Sequence, residues 1–194
     1  MIALAFALAL SGVARAEPAT FHIDPAHTTA EFAVTYLGFA KQHGRFERTH
    51  GTVVLDPVRS AGSVDFVIDA VSVDTGWDLR DTYLRGEQMF DTARYPEVRF
   101  RSTRLVYDDA LLVAIDGEIT MHGVRRPIRL AVRHIDCQTD PAHGREDCAA
   151  SVVGRLSRSA FGMDFAYPLI GDDVELVISV TANRARTEAI AETP

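Results

Sequence analysis

Strand-like alternation runs through nearly the whole of this chain, and a single charged, helix-like stretch interrupts it, Asp78-Leu79-Arg80-Asp81-Thr82-Tyr83-Leu84-Arg85-Gly86. From His27 to Tyr36, Thr28, Ala30, Phe32, Val34 and Tyr36 oppose Thr29, Glu31, Ala33 and Thr35. From Ser63 to Val71, Val64, Phe66, Ile68 and Ala70 oppose Asp65, Val67 and Asp69. Val98, Phe100 and Ser102 alternate with Arg99, Arg101 and Thr103, while Leu111, Val113, Ile115, Gly117, Ile119 and Met121 oppose Leu112, Ala114, Asp116, Glu118 and Thr120. The last segment sets Val174, Leu176, Ile178 and Val180 against Glu175, Val177, Ser179 and Thr181. Period two of this kind belongs to sheets with one dry face and one wet face. Further strands are expected near 44–55, 126–137 and 148–157, with a short one at Phe21–Ile23. Asp56-Pro57, Ser60-Ala61-Gly62, Asp108-Asp109, His122-Gly123 and Asp140-Pro141 supply the turns. About eight antiparallel strands with one buried face make a sandwich or a closed barrel. A barrel of that size either fills its interior with side chains or holds one small ligand. Periodicity alone does not choose.

The first sixteen residues stand apart from this pattern. Met1 to Leu10 is an unbroken apolar run, and Ala14-Arg15-Ala16 has the small-x-small form of a signal-peptide cleavage site. The run is too short to span a bilayer, which takes about 20 apolar residues. Residues 1–16 are therefore expected to be a cleaved leader, and 17–194 a single exported domain. The net charge of −7, without a basic block, argues against nucleic acid as a partner. It also argues against electrostatic docking on anionic lipid. Cys137 and Cys148 flank what reads as a hairpin tip, and in an exported chain their default is a disulfide. Closing so short a loop is worth about 2–3 kcal/mol in the chain-entropy account. The alternative, a metal site from His134, Cys137, His143 and Cys148, matches no familiar zinc spacing.

Around the helical stretch, Thr75 stands three residues before Asp78 in a weak capping-box arrangement, and Gly86 is a plausible stop. Trp77 and Leu84 share one face, flanked by Arg80 and Asp81, and Asp81 and Arg85 form an i, i+4 pair. The structural reading makes Arg80 and Asp81 an ion-pair network that pins the helix. The functional reading makes Arg80 a headgroup contact at the mouth of a pocket.

Histidines are the obvious candidates for chemistry. His22, Asp24 and His27 form an H-x-D-x-x-H cluster, but Asp24-Pro25 is equally an ordinary turn. No G-x-S-x-G or H-E-x-x-H occurs, and Asp116 and Glu118 read as an outer wet face. Neither catalytic residues nor a metal are assigned. More suggestive are apolar residues beyond the strands: Tyr36-Leu37-Gly38-Phe39, Met89-Phe90 and Phe161-Gly162-Met163-Asp164-Phe165. They plug the ends of a filled barrel, or gate a hollow one.

Taken in order, several short pieces resemble the YceI-like family of exported, lipocalin-like proteins associated with polyisoprenoid binding. They are Phe21-His22-Ile23-Asp24-Pro25-Ala26-His27-Thr28, Gly44-Arg45-Phe46, Ser72-Val73-Asp74-Thr75, Arg80-Asp81-Thr82-Tyr83-Leu84 with Met89-Phe90-Asp91, and Tyr95-Pro96-Glu97-Val98-Arg99-Phe100. Gly117-Glu118-Ile119-Thr120-Met121-His122-Gly123-Val124, Arg158-Ser159-Ala160-Phe161-Gly162 and Asp172-Asp173-Val174 complete them. The chain departs from the pattern at Thr28, where the family usually has Ser, and in its Cys137/Cys148 hairpin.

The resemblance implies an all-β, eight-stranded antiparallel lipocalin-like barrel with one short helical insertion beside its opening. It implies a periplasmic location and an interior tunnel for a polyprenyl phosphate or quinone. The expected lining includes Phe32, Val34, Phe46, Phe66, Leu84, Phe90, Phe100, Ile119, Phe161 and Ile178, with Arg80 at the mouth. No cofactor is implied other than such a ligand. The expected partner is a long-chain isoprenoid or other apolar lipid, with no nucleic acid and no stable membrane insertion; a homodimer is left open. Two competing readings remain: an enzyme acting on the bound lipid through a histidine such as His27 or His122, and a filled-barrel structural protein.

Overall fold

The computed structural model describes residues 18–56, 58–141 and 144–186; the expected leader, residues 1–16, lies outside them. In chain order the strands are β1 (Ala19–Ile23), β2 (Thr29–Tyr36), β3 (Ala40–Phe46), β4 (Thr49–Asp56), β5 (Ala61–Asp69) and β6 (Val73–Asp74). Helix α1 (Asp78–Leu84) follows, then β7 (Glu97–Asp108), β8 (Leu111–Met121), β9 (Val124–Thr139), β10 (Glu146–Ser157) and β11 (Ile170–Arg184). Short 3-10 turns occupy Ala70–Ser72 and Ser159–Phe161.

Eleven strand segments make an eight-stranded barrel because four of them join end to end in two pairs and the two-residue β6 stands outside the closed ladder. β1 and β2 both pair with β11, the first at Ala182–Arg184 and the second from Ile170 to Ser179. At the break between them, the Asp24 amide donates to Thr181 O at 2.8 Å, and the Thr28 hydroxyl accepts from Thr181 N at 3.1 Å. The β11 ladder is thereby carried across the gap. β3 and β4 are likewise two parts of one long strand, paired with β2 and β1 and interrupted at Glu47–Arg48. The expected strand at 44–55 is this interrupted one. From β4 the ladder runs antiparallel through β5, β7, β8, β9, β10 and β11, and closes on β1. Closure removes the sheet edges at this end.

At the other end β3 has no barrel partner beyond β2. There the two-residue β6 pairs with Arg45 and Phe46, and α1 follows it directly. Among the described residues, α1 and β6 therefore stand beside β3 where it has no second barrel strand.

The inward sets expected for β2, β5 and β11 are the ones that face the interior cavities, although Ala33 and Val67 of the opposite sets are buried as well and Tyr36, at the open end, is exposed. β8 differs. Leu111 and Val113 are exposed, whereas Leu112 borders the interior. A register shift opposite Val106/Tyr107 leaves Val113 bulged and inverts the alternation on its N-terminal side. A second shift, between Ser102 and Arg104, turns Leu105 inward after Val98 and Phe100.

The cysteines are disulfide-bonded and directly opposite in the β9–β10 register, stapling the hairpin as expected. Outside the barrel, cross-strand ion pairs lace the wet face. Asp116 accepts from Arg129 at 2.6 and 2.9 Å and from Arg104 at 2.7 Å, and Asp65 accepts from Arg99 at 2.9 and 2.6 Å. These contacts hold both carboxyls below their ordinary range.

Candidate functional site

The barrel is hollow. A cavity of about 420 Å³ occupies its α1 end, and a smaller one of about 90 Å³ lies toward the closed end near the disulfide. The larger volume falls in the usual range for small-molecule sites, roughly 300–1,000 Å³. Phe66, Phe100, Leu130 and Ile178 border both and form a waist between them.

Glycines on the wall make room for the large side chains that enter this space. Phe32 lies over Gly44, its partner on β3, where a Cβ would penetrate the ring. A Cβ at Gly117 would stand 2.5 Å from the Phe100 ring, and one at Gly154 would stand 2.6 Å from Leu130. Phe32, Phe46 and Phe90 pack edge to face or tilted, with centroids 5.4–6.5 Å apart, and make the aromatic wall beside α1.

Of the expected lining, Phe32, Val34, Phe46, Phe66, Leu84, Phe90, Phe100, Ile119 and Ile178 border this one cavity, and Arg80 does so as well. Phe161 does not. It is fully buried, 2% exposed, in the 3-10 turn Ser159–Phe161, where its carbonyl meets His122 Nδ1 at 2.8 Å. The plugging residues Tyr36, Met89 and Met163 also reach the cavity.

The mouth is polar but short of carboxylates. Arg80 donates to Thr75 Oγ1 at 2.8 Å, to Thr75 O at 2.8 Å and to Gln42 Oε1 at 2.7 Å, and its guanidinium lies 5.6 Å from the Trp77 ring centroid. Thr75 in turn donates its amide, at 2.9 Å, and its hydroxyl to buried Asp81. The expected ion-pair network is thus a set of hydrogen bonds around Thr75. Thr75 does not cap the helix: Trp77 precedes Asp78 at the N-cap without a side-chain bond. Nor do Asp81 and Arg85 pair; Arg85 reaches the carbonyls of Val71 and Val73 at 2.8 and 2.7 Å. Those carbonyls attach α1 to the barrel wall.

Arg158 was not legible as a site residue from the strand pattern. It borders the cavity while only 3% exposed, donating to the carbonyls of Gly171 and Ile170 at 2.8 Å each and to that of Met163. Its guanidinium fixes the 162–169 crossing at the mouth. Arg158 and Arg80 each commit three of five N–H donors in these bonds.

The histidine cluster near the chain start is a turn. Asp24 accepts from Ala26 N at 2.9 Å and from His27 Nδ1 at 2.8 Å, and the imidazole bond holds its carboxyl below the usual range. Neither His27 nor His122 borders the cavity; His43 does, from an exposed position on β3. No group of three metal-ligating side chains converges among the described residues.

The YceI-like domain model matches residues 21–182, nearly the whole span that builds the barrel, which runs from Ala19 in β1 to Arg184 in β11. The chain belongs to the YceI-like family. A UPF0312 protein of Vibrio campbellii is 31% identical over 180 residues, covering 90% of this chain and 93% of its own length. Protein YceI of Escherichia coli O6:H1 is 30% identical over 183 residues, covering 93% and 95%. Among solved structures, BcnA of Burkholderia cenocepacia superposes with a TM-score of 0.70 at 21% identity, covering 82% of this chain and 98% of its own. A polyisoprenoid-binding domain from Saccharophagus degradans, implicated in plant cell wall breakdown, superposes at 0.64 with 19% identity, covering 85% and 98%. The two solved structures share the fold of this chain, and the Cys137–Cys148 staple sits on its β9–β10 hairpin.

Proposed function

We propose that this YceI-like protein is a non-enzymatic carrier, outside the cytoplasm, for a long apolar isoprenoid-type lipid such as a polyprenyl phosphate or a quinone. The observation that carries the reading is the large apolar cavity at the α1 end of the barrel, lined by Phe32, Val34, Phe46, Phe66, Leu84, Phe90, Phe100, Ile119 and Ile178. The tail would lie against these side chains. The uncommitted N–H donors of Arg80 and Arg158 would meet a phosphate or carbonyl head. The polyisoprenoid-binding neighbour of the same fold supports the ligand class. Residues 1–16, read as an export leader, support the location. His27 and His122 stand away from the cavity, which favours carriage over chemistry on the bound molecule.

The energetics suit pick-up and release. Burying a methylene is worth roughly 0.8 kcal/mol relative to water, so some forty carbons sum to tens of kcal/mol, beyond any observed affinity. The true competitor is the bilayer, which is equally apolar. Transfer from membrane to barrel is then nearly neutral, and selectivity falls to the bore and the headgroup contacts.

Native mass spectrometry of protein purified from its export compartment without detergent, followed by organic extraction, tests this. A stoichiometric prenyl lipid or quinone is the expected result. A clean apo mass that stays apo when challenged with polyprenyl lipids overturns the reading.

A further inference from the structure

Three segments meet at the open end of the barrel and leave large apolar side chains in solvent. The β2–β3 turn presents Leu37 and Phe39, the latter 82% exposed; the start of α1 presents its N-cap Trp77, 57% exposed, and Leu79; the 162–169 crossing presents Tyr167 and Leu169. These segments are tied to one another. The Leu37 amide donates to Leu169 O at 2.7 Å, and Arg80 joins α1 to β3 through Gln42. Tyr83 lies 5.1 Å from the Phe165 ring across the α1–crossing contact. Tyr36, Trp77 and Tyr83 also border the large cavity, so the exposed group is its rim. A lone exposed leucine calls for no explanation, but a contiguous apolar group marks an interaction surface.

A second observation bears on the same rim. Leu37 and Gly38 both have positive φ, 52° and 77°, as the two central residues of a tight hairpin turn. Asn, Asp or Gly is the natural occupant of the first position, because a branched side chain is strained there. Leu37 nonetheless occupies it with its side chain half exposed, gaining little burial in the barrel. Strain held at an exposed apolar tip points to a use for that side chain outside the fold.

Charge narrows the partner. Against the whole chain's −7, the rim carries little net charge: Arg80 in α1 and Lys41, at the start of β3 beside the turn, stand against Asp78, Asp81 and Asp164. Lys41 is occupied by Glu175, and Asp81 is buried against Thr75. What remains is one cation, Arg80, against exposed Asp78 and Asp164, set among a ring of Trp, Tyr, Phe and Leu, the residues that settle where a bilayer's headgroups meet its acyl chains.

We propose that this rim is a docking face for the surface of a zwitterionic lipid bilayer, which brings the cavity mouth against the acyl layer. The proposal rests on reading the cavity as a lipid site, since docking there lets an apolar chain pass from bilayer to barrel without crossing water. Binding is peripheral and reversible, through the side chains of two loops and one short helix.

Trp77 is the chain's one tryptophan and sits in the rim, so it reports docking directly. The full chain is titrated with phosphatidylcholine vesicles whose acyl chains carry bromine, and Trp77 emission is followed. Residues 1–16 are themselves apolar, so the readout is Trp77 quenching rather than total bound protein. The expected result is a blue shift and quenching that persist at high salt. Leu37→Asn, which places a favoured residue in the turn, should keep or raise the melting temperature while weakening docking. Adding Phe39→Ser should weaken it by about tenfold more, the effect of withdrawing one large apolar side chain.

Absence of quenching at saturating vesicle overturns the proposal. So does quenching unchanged in Leu37→Asn/Phe39→Ser, which would mark an acyl chain entering the cavity without docking. A strict requirement for anionic phosphatidylglycerol overturns it in favour of an electrostatic surface. Concentration-dependent sedimentation abolished by the same substitutions overturns it in favour of a dimer interface. Loading is measured separately, with a prenyl alcohol in the absence of vesicles. Loading without docking removes this inference alone; docking with a barrel that never loads removes the carrier reading alone.

Discussion

At the level of single residues, the site is a matter of which side chain faces which glycine. The lining from Phe32 to Ile178 is legible because an inward position in a period-two strand is inward whether the barrel is hollow or filled. What alternation does not reveal is the free space, because that depends on where large side chains find small neighbours. Gly44 is such a neighbour: it stands directly opposite Phe32, and its missing Cβ leaves room for the ring. Gly44→Ala should push the Phe32 ring away from β3 into the lumen, against its packing on Phe46 and Phe90, and crowd the Thr75 methyl. The expected outcome is a marked loss of prenyl-chain binding with a stability cost of about 1–3 kcal/mol, typical of a modest overpacking. Chain binding by extraction or native mass spectrometry and denaturant unfolding check the two halves. Unchanged capacity would mean that Phe32 does not border the ligand path. Phe161 and Arg158 were beyond the reach of the same reasoning. Both lie at the 3-10 turn following β10, where side-chain direction no longer follows period two and backbone hydrogen bonding decides it.

At the level of elements, α1 was legible as a helix from its charged, non-alternating run, but its attachment was not. Spacing suggested a capping box and an i, i+4 ion pair, and both partners went to the tertiary structure instead. Thr75 engages Asp81 and Arg80, while Arg85 takes carbonyls of the 3-10 turn and β6. A seven-residue helix contributes little stability of its own, so such contacts decide where it sits. The same gap between local pattern and tertiary outcome explains the bulge at Val113, since Leu111, Leu112 and Val113 offer apolar side chains in both phases. Thr75→Val tests the attachment of α1. It removes one bond to Asp81 and leaves the Arg80 Nε–H without its hydroxyl acceptor, at a cost of about 1–3 kcal/mol for a partly buried group. Because α1 stands beside β3 where it has no second barrel strand, amides of residues 78–86 should lose hydrogen-exchange protection while β8–β10 stay protected. Bound chain should also dissociate faster than from the unsubstituted protein. Uniform loss of protection across the barrel would show instead that α1 and the strands unfold as one unit.

For the whole molecule, closure is the property that matters most, and it follows from two broken strands as much as from the six continuous ones. β1 with β2 and β3 with β4 let the barrel close tightly at one end, through β1–β4, and stay open at the other, where β3, on the side away from β2, meets β6 and the helix. An interior that is apolar along its length and open at one end has to be held by a wet exterior that does not compete for it. That exterior is a lattice of cross-strand ion pairs whose carboxyls hold their protons less tightly in the folded state. Asp116 is lowered by Arg129 and then Arg104, Asp65 by Arg99, Asp172 by the Ser157 hydroxyl, and Glu175 by Lys41. A carboxyl with a depressed folded pKa binds fewer protons folded than unfolded, so its contribution is fully present above the unfolded value, about 4. It is lost as pH falls from there through the folded value. These groups lie largely at the surface, where salt screens each pair, so the individual effects are small and act together. The melting temperature should therefore hold nearly level from pH 7 to about 5 and decline below about 4. Asp116→Asn should melt lower than the unsubstituted protein at pH 6, with the gap narrowing as pH falls below about 4 and shrinking at that pH 6 when salt is added. A gap that stays constant down to pH 2.5 would assign Asp116 a steric role on the sheet surface in place of an ionic one.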